Sequence, residues 1–258
     1  MWDKIITWCR LRRDGYVVLR QFLDPGEVSA LRGLVLSVYE LMPDCRSPEH
    51  LAAHFQSWDG VWLEELPAFL KARDTGLLAR YDEIGGRIAG RAQAYFGGGW
   101  QPYWLRSFFR RSTGVKLLPW HIDADAAQIN RPQSFNVWLP LDAVGDGLPS
   151  LEIVPRSHRA MRRGPLLAAG PYDRDDIVAE FGGAATPRLS PGDALIFDQF
   201  TLHRTQRPKA DGYSRLSCEF RFFRWPWRVH LREVLRGSST GRLLLRGLRR
   251  VLGRRIGF

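Results

Sequence analysis

Pro191-Gly192-Asp193-Ala194-Leu195-Ile196-Phe197-Asp198-Gln199-Phe200-Thr201-Leu202-His203-Arg204-Thr205 reads as a turn, a buried strand and then a histidine. Twelve residues past that histidine, Arg215 opens a second strand-like run, Leu216–Phe223. Working upstream, short β-rich segments recur between Gly, Pro and Asp turns: Tyr103–Phe109, Val115–Ile122, Ser134–Leu141, Ser150–Val154 and Ala184–Leu189. Several short strands at this spacing predict an antiparallel sandwich or barrel.

The first hundred residues have a different character. Gly15–Leu23 alternates as a strand. Asp24-Pro25-Gly26-Glu27 then gives an N-cap, a Pro at the first helical position and a Glu at the third, predicting a helix to about Leu41 before Pro43. A second helix is predicted from Asp74 to Phe96, where Leu77, Leu78, Tyr81, Ile84, Ile88 and Ala92 share helical spacing and Gly97-Gly98-Gly99 stops it. Fold class is thus mainly β with flanking helices, the helices coming first.

The chain has 258 residues, 45% hydrophobic and 12% aromatic, enough for one large core. With 25% charged residues it is not a disordered chain. No run reaches the roughly 18 apolar residues of a membrane span, and the segment from Met1 to Arg13 does not read as a secretion signal. Cys9, Cys45 and Cys218 are too few and too scattered for a disulfide framework or a CxxC metal site. The expected location is cytoplasmic, with the possibility of peripheral attachment to the membrane's cytoplasmic face.

The net charge of +11 is uneven. Residues 225–258 hold nine Arg and one Glu, so the body, 1–224, is nearly balanced. A balanced body argues against a nucleic-acid-binding core, and no nucleic acid is expected as a partner.

Trp120-His121-Ile122-Asp123 lies at the end of a strand-like run. In a strand, residues i and i+2 project from one face, so His121 and Asp123 can converge. An imidazole and a carboxylate there are two of the three ligands of a 2-His-1-carboxylate site for Fe(II). A histidine hydrogen-bonded to a nearby aspartate would give the same triplet. The distal His203, at the end of one strand, and Arg215, on the next, can face the same cavity, and the Arg fork suits a planar dicarboxylate.

In this combination the sequence resembles the phytanoyl-CoA dioxygenase family of Fe(II)/2-oxoglutarate-dependent oxygenases, from Gly15 to about Phe223. The resemblance implies a double-stranded β-helix (jelly-roll, cupin-like) core with N-terminal helices packed outside. It implies that His121, Asp123 and His203 hold Fe(II) and carry catalysis. Arg215 would bind the distal carboxylate of 2-oxoglutarate, assisted by Thr205. Trp138 matches an aromatic position near that cosubstrate, and Asn136 shares its strand face. Trp120, Asp125, Gln128 and Arg131 flank the metal motif as candidate substrate contacts, with rim residues on a loop the equal alternative. Where the family loop often reads Pro-Gly-Ser-His, this chain has Pro155-Arg156-Ser157-His158, so Arg156 is either an anion contact at the cavity mouth or a solvated charge. His158 is expected to be structural. Retention of Asp123 argues against halogenation, because halogenating relatives replace that carboxylate.

The implied activity is hydroxylation of an unactivated C–H of a small molecule, lipid or lipid-linked substrate, using O2 and releasing succinate and CO2. Desaturation or ring formation uses the same chemistry. Two other classes are a non-catalytic ligand- or membrane-binding member and a cupin-like isomerase with another metal. The intact set His121, Asp123, His203 and Arg215 separates the first reading from both.

The chain is expected to divide into a dioxygenase domain, 1–224, and a basic amphipathic tail, 225–258. On a helical wheel Leu244, Leu245, Leu248, Val251, Leu252 and Ile256 share one side, and Arg242, Arg246, Arg249, Arg250 and Arg254 the other. Leu243 and Arg255 are exceptions. This pattern suits an anionic membrane surface, an acidic carrier protein, or an ordinary helix covering the barrel.

Overall fold

The computed structural model describes residues 2–42, 60–63, 66–97, 99–102, 107–112, 118–124, 133–162, 175–208 and 213–224. The tail 225–258 and the candidate residues Asp125, Gln128 and Arg131 lie outside these.

The chain opens with α1 (Trp2–Asp14), which the sequence reading did not anticipate, and continues into β1 (Tyr16–Leu19) and α2 (Pro25–Leu41). The predicted capping box closes α2: the Asp24 carboxylate accepts from Glu27 N, and Glu27 accepts from Asp24 N. Then come β2 (Gly60–Trp62), α3 (Leu66–Arg73) and α4 (Thr75–Phe96). Asp74 caps α4, and Gly97 ends it at φ 97°. The β region comprises β3 (Gln101–Pro102), β4 (Phe108–Ser112), β5 (Gln133–Pro140), β6 (Leu151–Ile153), β7 (Ala194–Asp198), β8 (His203–Thr205) and β9 (Arg215–Arg224). Two short helices, α5 (Ser157–Met161) and α6 (Asp175–Glu180), lie between β6 and β7.

All described strand pairings are antiparallel. The larger sheet runs β1-β7-β5-β9-β4-β2, with β3 also on β9, and a smaller sheet pairs β6 with β8. The predicted strand 184–189 appears only as bridges, Ala185 to Ile153 and Leu189 to Val144.

The larger sheet is buried on both faces, and the strand alternation divides them chemically. Phe135, Val137, Leu139, Ala194, Ile196, Leu216, Cys218, Phe220 and Phe222 join Leu31, Leu34, Val35 and Val38 of α2 and Tyr81, Ile84, Ile88 and Ala92 of α4 in one apolar core. Each large apolar side chain sealed there contributes roughly 1.5–3 kcal/mol. Trp8 of α1 joins this layer, 6.1 Å from the Phe96 ring and 6.0 Å from the Trp100 ring. The opposite face of the same strands carries Asn136 and Trp138 on β5, Phe197 on β7, and Arg215, Ser217, Glu219 and Arg221 on β9. That polar face lines the space between the sheets. Trp138, Leu151, Ile153, Leu195 and Phe197 form its apolar part.

Candidate metal centre

His121 and His203 come from different strand-like segments that meet as a two-residue antiparallel bridge. His121 N donates to His203 O at 2.9 Å, and His203 N donates to His121 O at 3.0 Å. The imidazoles therefore emerge side by side, with ring centroids 4.2 Å apart. Asp123 follows two residues after His121, its amide N bonded to Gln199 O at 2.9 Å. One donor atom from each of His121, Asp123 and His203 lies within 4.8 Å of the others.

Both imidazoles are oriented for ligation. His121 Nδ1 lies 2.7 Å from Pro119 O, and His203 Nδ1 lies 2.9 Å from Thr201 O. Each Nδ1–H donates to its carbonyl, which leaves Nε2 as the lone-pair atom directed at Asp123. The Nε2 atoms stand 4.0 Å (His121) and 3.6 Å (His203) from the carboxylate oxygens. Burial lowers both histidines' pKa values, His121 to about 3, so both are neutral, the form a metal requires. Burial alone would raise Asp123, but the Arg221 guanidinium, helped by the Asn136 hydrogen bond, holds the carboxyl below its ordinary value.

Arg215 begins β9 and is fully buried. Its Nη1 donates to Pro149 O at 2.6 Å, while Nε and Nη2 have no hydrogen-bond partner among the described residues. Its Cζ stands 5.2 Å from the Trp138 ring centre. Burial, with Arg110 nearby, lowers its pKa to about 9. A buried guanidinium with two unsatisfied donors is costly unless an anion completes it, and a carboxylate has the matching shape. Thr205, 1% exposed, shares the His203 face of β8; its Oγ1 accepts from Arg110 Nη1 at 3.2 Å. Three nitrogen and oxygen donors with free lone pairs, and an orphaned arginine fork in the same inter-sheet space, fit a divalent metal and a dicarboxylate.

The other candidates are distributed differently. Asn136 faces the metal position, and its Nδ2 donates to Asp123 Oδ2, so it contacts the metal ligand itself. Trp120 is 1% exposed and packs with Ala124, Val154, Met161 and Leu202, beneath the Arg204 guanidinium at 4.3 Å. Arg156 adopts a left-handed φ of 67° and extends into solvent, 71% exposed, 3.7 Å from Asp14. The structure therefore does not bring Trp120 or Arg156 to the His121–Asp123–His203 set. His158 is buried, with Nε2 3.2 Å from Arg12 O, against Gly15.

The sequence reading missed Arg221, Glu219 and Arg110. Arg221 Nη2 donates to Asp123 Oδ1 at 2.6 Å, and its Nε donates to Glu219 Oε1 at 3.0 Å. Burial raises the Glu219 pKa to about 7, against the pull of Arg221. The available signal was the alternation Arg215, Ser217, Glu219, Arg221, which puts four polar side chains on one face of an otherwise apolar strand.

Among solved structures, the fold is similar to AviO1 from Streptomyces viridochromogenes Tue57 (19% identity, TM-score 0.60, covering 86% of this chain and 96% of that one). It is also similar to the non-heme alpha-ketoglutarate-dependent epimerase SnoN from nogalamycin biosynthesis (19%, TM-score 0.57, 86% and 82%) and to EctD from S. alaskensis (18%, TM-score 0.58, 83% and 75%). These similarities place the two sheets in the jelly-roll fold expected from the sequence. No curated protein matches the chain in sequence. The phytanoyl-CoA dioxygenase (PhyH) model matches residues 11–216, from the end of α1 to the start of β9, and so takes in His121, Asp123, His203 and Arg215. A match over this much of the chain, on a fold that assembles those four residues, shows that the chain belongs to the phytanoyl-CoA dioxygenase family.

Proposed function

We propose that this chain is an Fe(II)/2-oxoglutarate-dependent dioxygenase that hydroxylates an unactivated C–H of a small molecule, lipid or lipid-linked substrate. The observation that carries the reading is the buried Arg215 fork, with two unsatisfied donors, in the same inter-sheet space as three ligand-type side chains. Support comes from neighbours of the same fold: EvdO2 complexed with 2-oxoglutarate, SnoN with Fe3+ and alpha ketoglutarate, and EctD with bound Fe.

In this reading His121, Asp123 and His203 hold Fe(II) through Nε2, a carboxylate oxygen and Nε2. Arg215 holds the distal carboxylate of 2-oxoglutarate with Nε and Nη2, and Thr205 adds a hydroxyl. Bound iron, with 2-oxoglutarate and O2, supplies the oxidant and the succinate and CO2 that leave. The protein's part is placement and exclusion of water. Pro119 and Thr201 carbonyls fix the histidine tautomers, and Trp138, Leu195 and Phe197 keep the surroundings apolar. Hydroxylation would place oxygen on a substrate carbon held beside the metal position, and desaturation or ring formation would draw on the same oxidant.

The test is anaerobic titration of metal-free protein with Fe(II) and 2-oxoglutarate, watching for the visible charge-transfer band of the chelate. A band in wild type that needs far more 2-oxoglutarate in Arg215→Ala supports the reading. No band, with iron unbound or bound without the keto acid, moves the chain to a ligand-binding role or another metal.

The domain division at 224 and the role of the tail are part of the proposal. The separation of leucine from arginine in 240–256 suits an anionic membrane surface. Among the described residues, no helix is long and apolar enough to cross a membrane.

A further inference from the structure

The metal-site reading leaves a second buried arginine without a role. Arg221 is 8% exposed and stands in register with Asn136 of β5, so the two side chains lie next to each other on the inner face. They take opposite oxygens of one carboxylate: Arg221 Nη2 binds Asp123 Oδ1 at 2.6 Å, and Asn136 Nδ2 binds Oδ2. Arg221 is itself fixed at three points, counting its backbone N on Ser107 Oγ at 2.9 Å and its Nε on Glu219 Oε1 at 3.0 Å.

We propose that Arg221, anchored by Glu219, is a positioning residue that sets the orientation of the Asp123 carboxylate toward the metal. This rests on the reading of His121, Asp123 and His203 as metal ligands. Asp123 lies beyond the end of the His121 bridge, where no described strand of the smaller sheet continues to hold it. A carboxylate at such a place can turn about Cβ–Cγ and present either oxygen or both. Hydrogen bonds on both oxygens remove that freedom, and a bidentate-capable guanidinium does so with directional donors that an ammonium lacks.

The sign of the effect separates positioning from simple charge. A guanidinium close to a divalent cation repels it, so removing Arg221 would strengthen metal binding if charge alone mattered. If Arg221 positions the ligand, its removal weakens binding. Outer partners of metal ligands typically carry about 10- to 100-fold in metal affinity.

The experiment titrates Co(II) into metal-free full-length protein, following the visible d–d absorption. Variants are Arg221→Met, Arg221→Lys and Glu219→Gln, each checked for folding by circular dichroism and thermal unfolding. The expected result is roughly 10- to 100-fold weaker Co(II) binding in Arg221→Met with a changed d–d envelope. Arg221→Lys recovers part of the loss, and Glu219→Gln shows a smaller loss of the same kind. Met-variant affinity equal to or above wild type overturns the proposal, as does a loss that lysine does not recover. Where Arg221→Met does not fold, Glu219→Gln decides: a weakened affinity with a changed envelope supports the role, and wild-type behaviour overturns it. Failure of wild type itself to bind Co(II) overturns the metal-site reading and, with it, this one.

Discussion

His121 and His203 are each other's backbone partners, exchanging both N–H···O bonds at 2.9 and 3.0 Å. The two imidazoles therefore inherit their separation from a main-chain ladder, the least deformable part of a sheet. Among the described residues Asp123 has no such partner strand, and it is held by the Gln199 carbonyl on its backbone and by Arg221 and Asn136 on its carboxylate.

Removing His121 should end metal-dependent chemistry. In His121→Ala, succinate release dependent on Fe(II) and 2-oxoglutarate should fall to background, measured against wild type at matched protein concentration. Full succinate production in this variant would sink the ligand assignment.

Arg215→Ala should act on 2-oxoglutarate more than on iron. Losing charge-assisted hydrogen bonds costs about 1.5–3 kcal/mol, roughly a 10- to 150-fold rise in apparent dissociation constant. Arg215→Lys should keep the charge but lose the fork and recover only part. The chelate band titrated at fixed Fe(II) measures both, and an unchanged affinity in the alanine variant rules out the role.

Stability of the metal-free protein should fall on acidification through the window between about 6.5 and 3. Unfolded His121 takes a proton near its ordinary pKa of 6.5, whereas burial keeps the folded residue neutral to about 3. The unfolded state therefore binds more protons across that window, and unfolding gains as pH drops. Buried His203 shifts in the same direction. Glu219 opposes them: its raised value, about 7 against 4.5, makes the folded state bind more protons between those two pH values. Thermal melts from pH 7 to 4 should thus show a steeper loss in Glu219→Gln and a shallower one in His121→Gln. Parallel curves for all three proteins would contradict this assignment.

Gly15→Ala should destabilise the fold by about 1–3 kcal/mol. Gly15 has φ +82°, and a Cβ there would stand 2.5 Å from His158 Nδ1 and 2.8 Å from Thr201 Oγ1. Thr201 is the residue whose carbonyl orients His203, and its hydroxyl donates to Gly15 O at 2.8 Å. Chemical denaturation gives the stability, and Co(II) titration of the same variant should show weaker binding. A wild-type midpoint would show that the neighbours yield freely.

The tail is tested by flotation with vesicles containing anionic lipid. Full-length protein should float and a 1–238 truncation should not, with high salt releasing the full-length form. Equal flotation of the two refutes the membrane role. Binding of the full-length form to an acidic protein with no flotation assigns the tail to a carrier instead.

The sequence by itself determined much of this protein, because some signals are local. Asp24-Pro25-Gly26-Glu27 makes a capping box wherever it sits, since cap and N3 residue satisfy each other's backbone donors. The alternation on β5, β7 and β9 is set by the pleat, so strands with one face for a core were legible. Family motifs carried His121, Asp123, His203 and Arg215 for the same reason: residue type and order survive in one dimension. The short β8 was less legible, because three residues, His203–Thr205, have no periodicity to read, and only pairing with β6 makes them a strand. Trp120 and Arg156 were adjacent to the motifs in sequence, yet strand alternation and a left-handed loop residue send them elsewhere. What only the tertiary structure decided is which side chain meets which carboxylate. Arg221 and Asn136 reach Asp123 because β5 and β9 pair in a register that no local pattern encodes. Long-range register depends on the whole core closing at once, and that is where the metal ligand acquires its orientation.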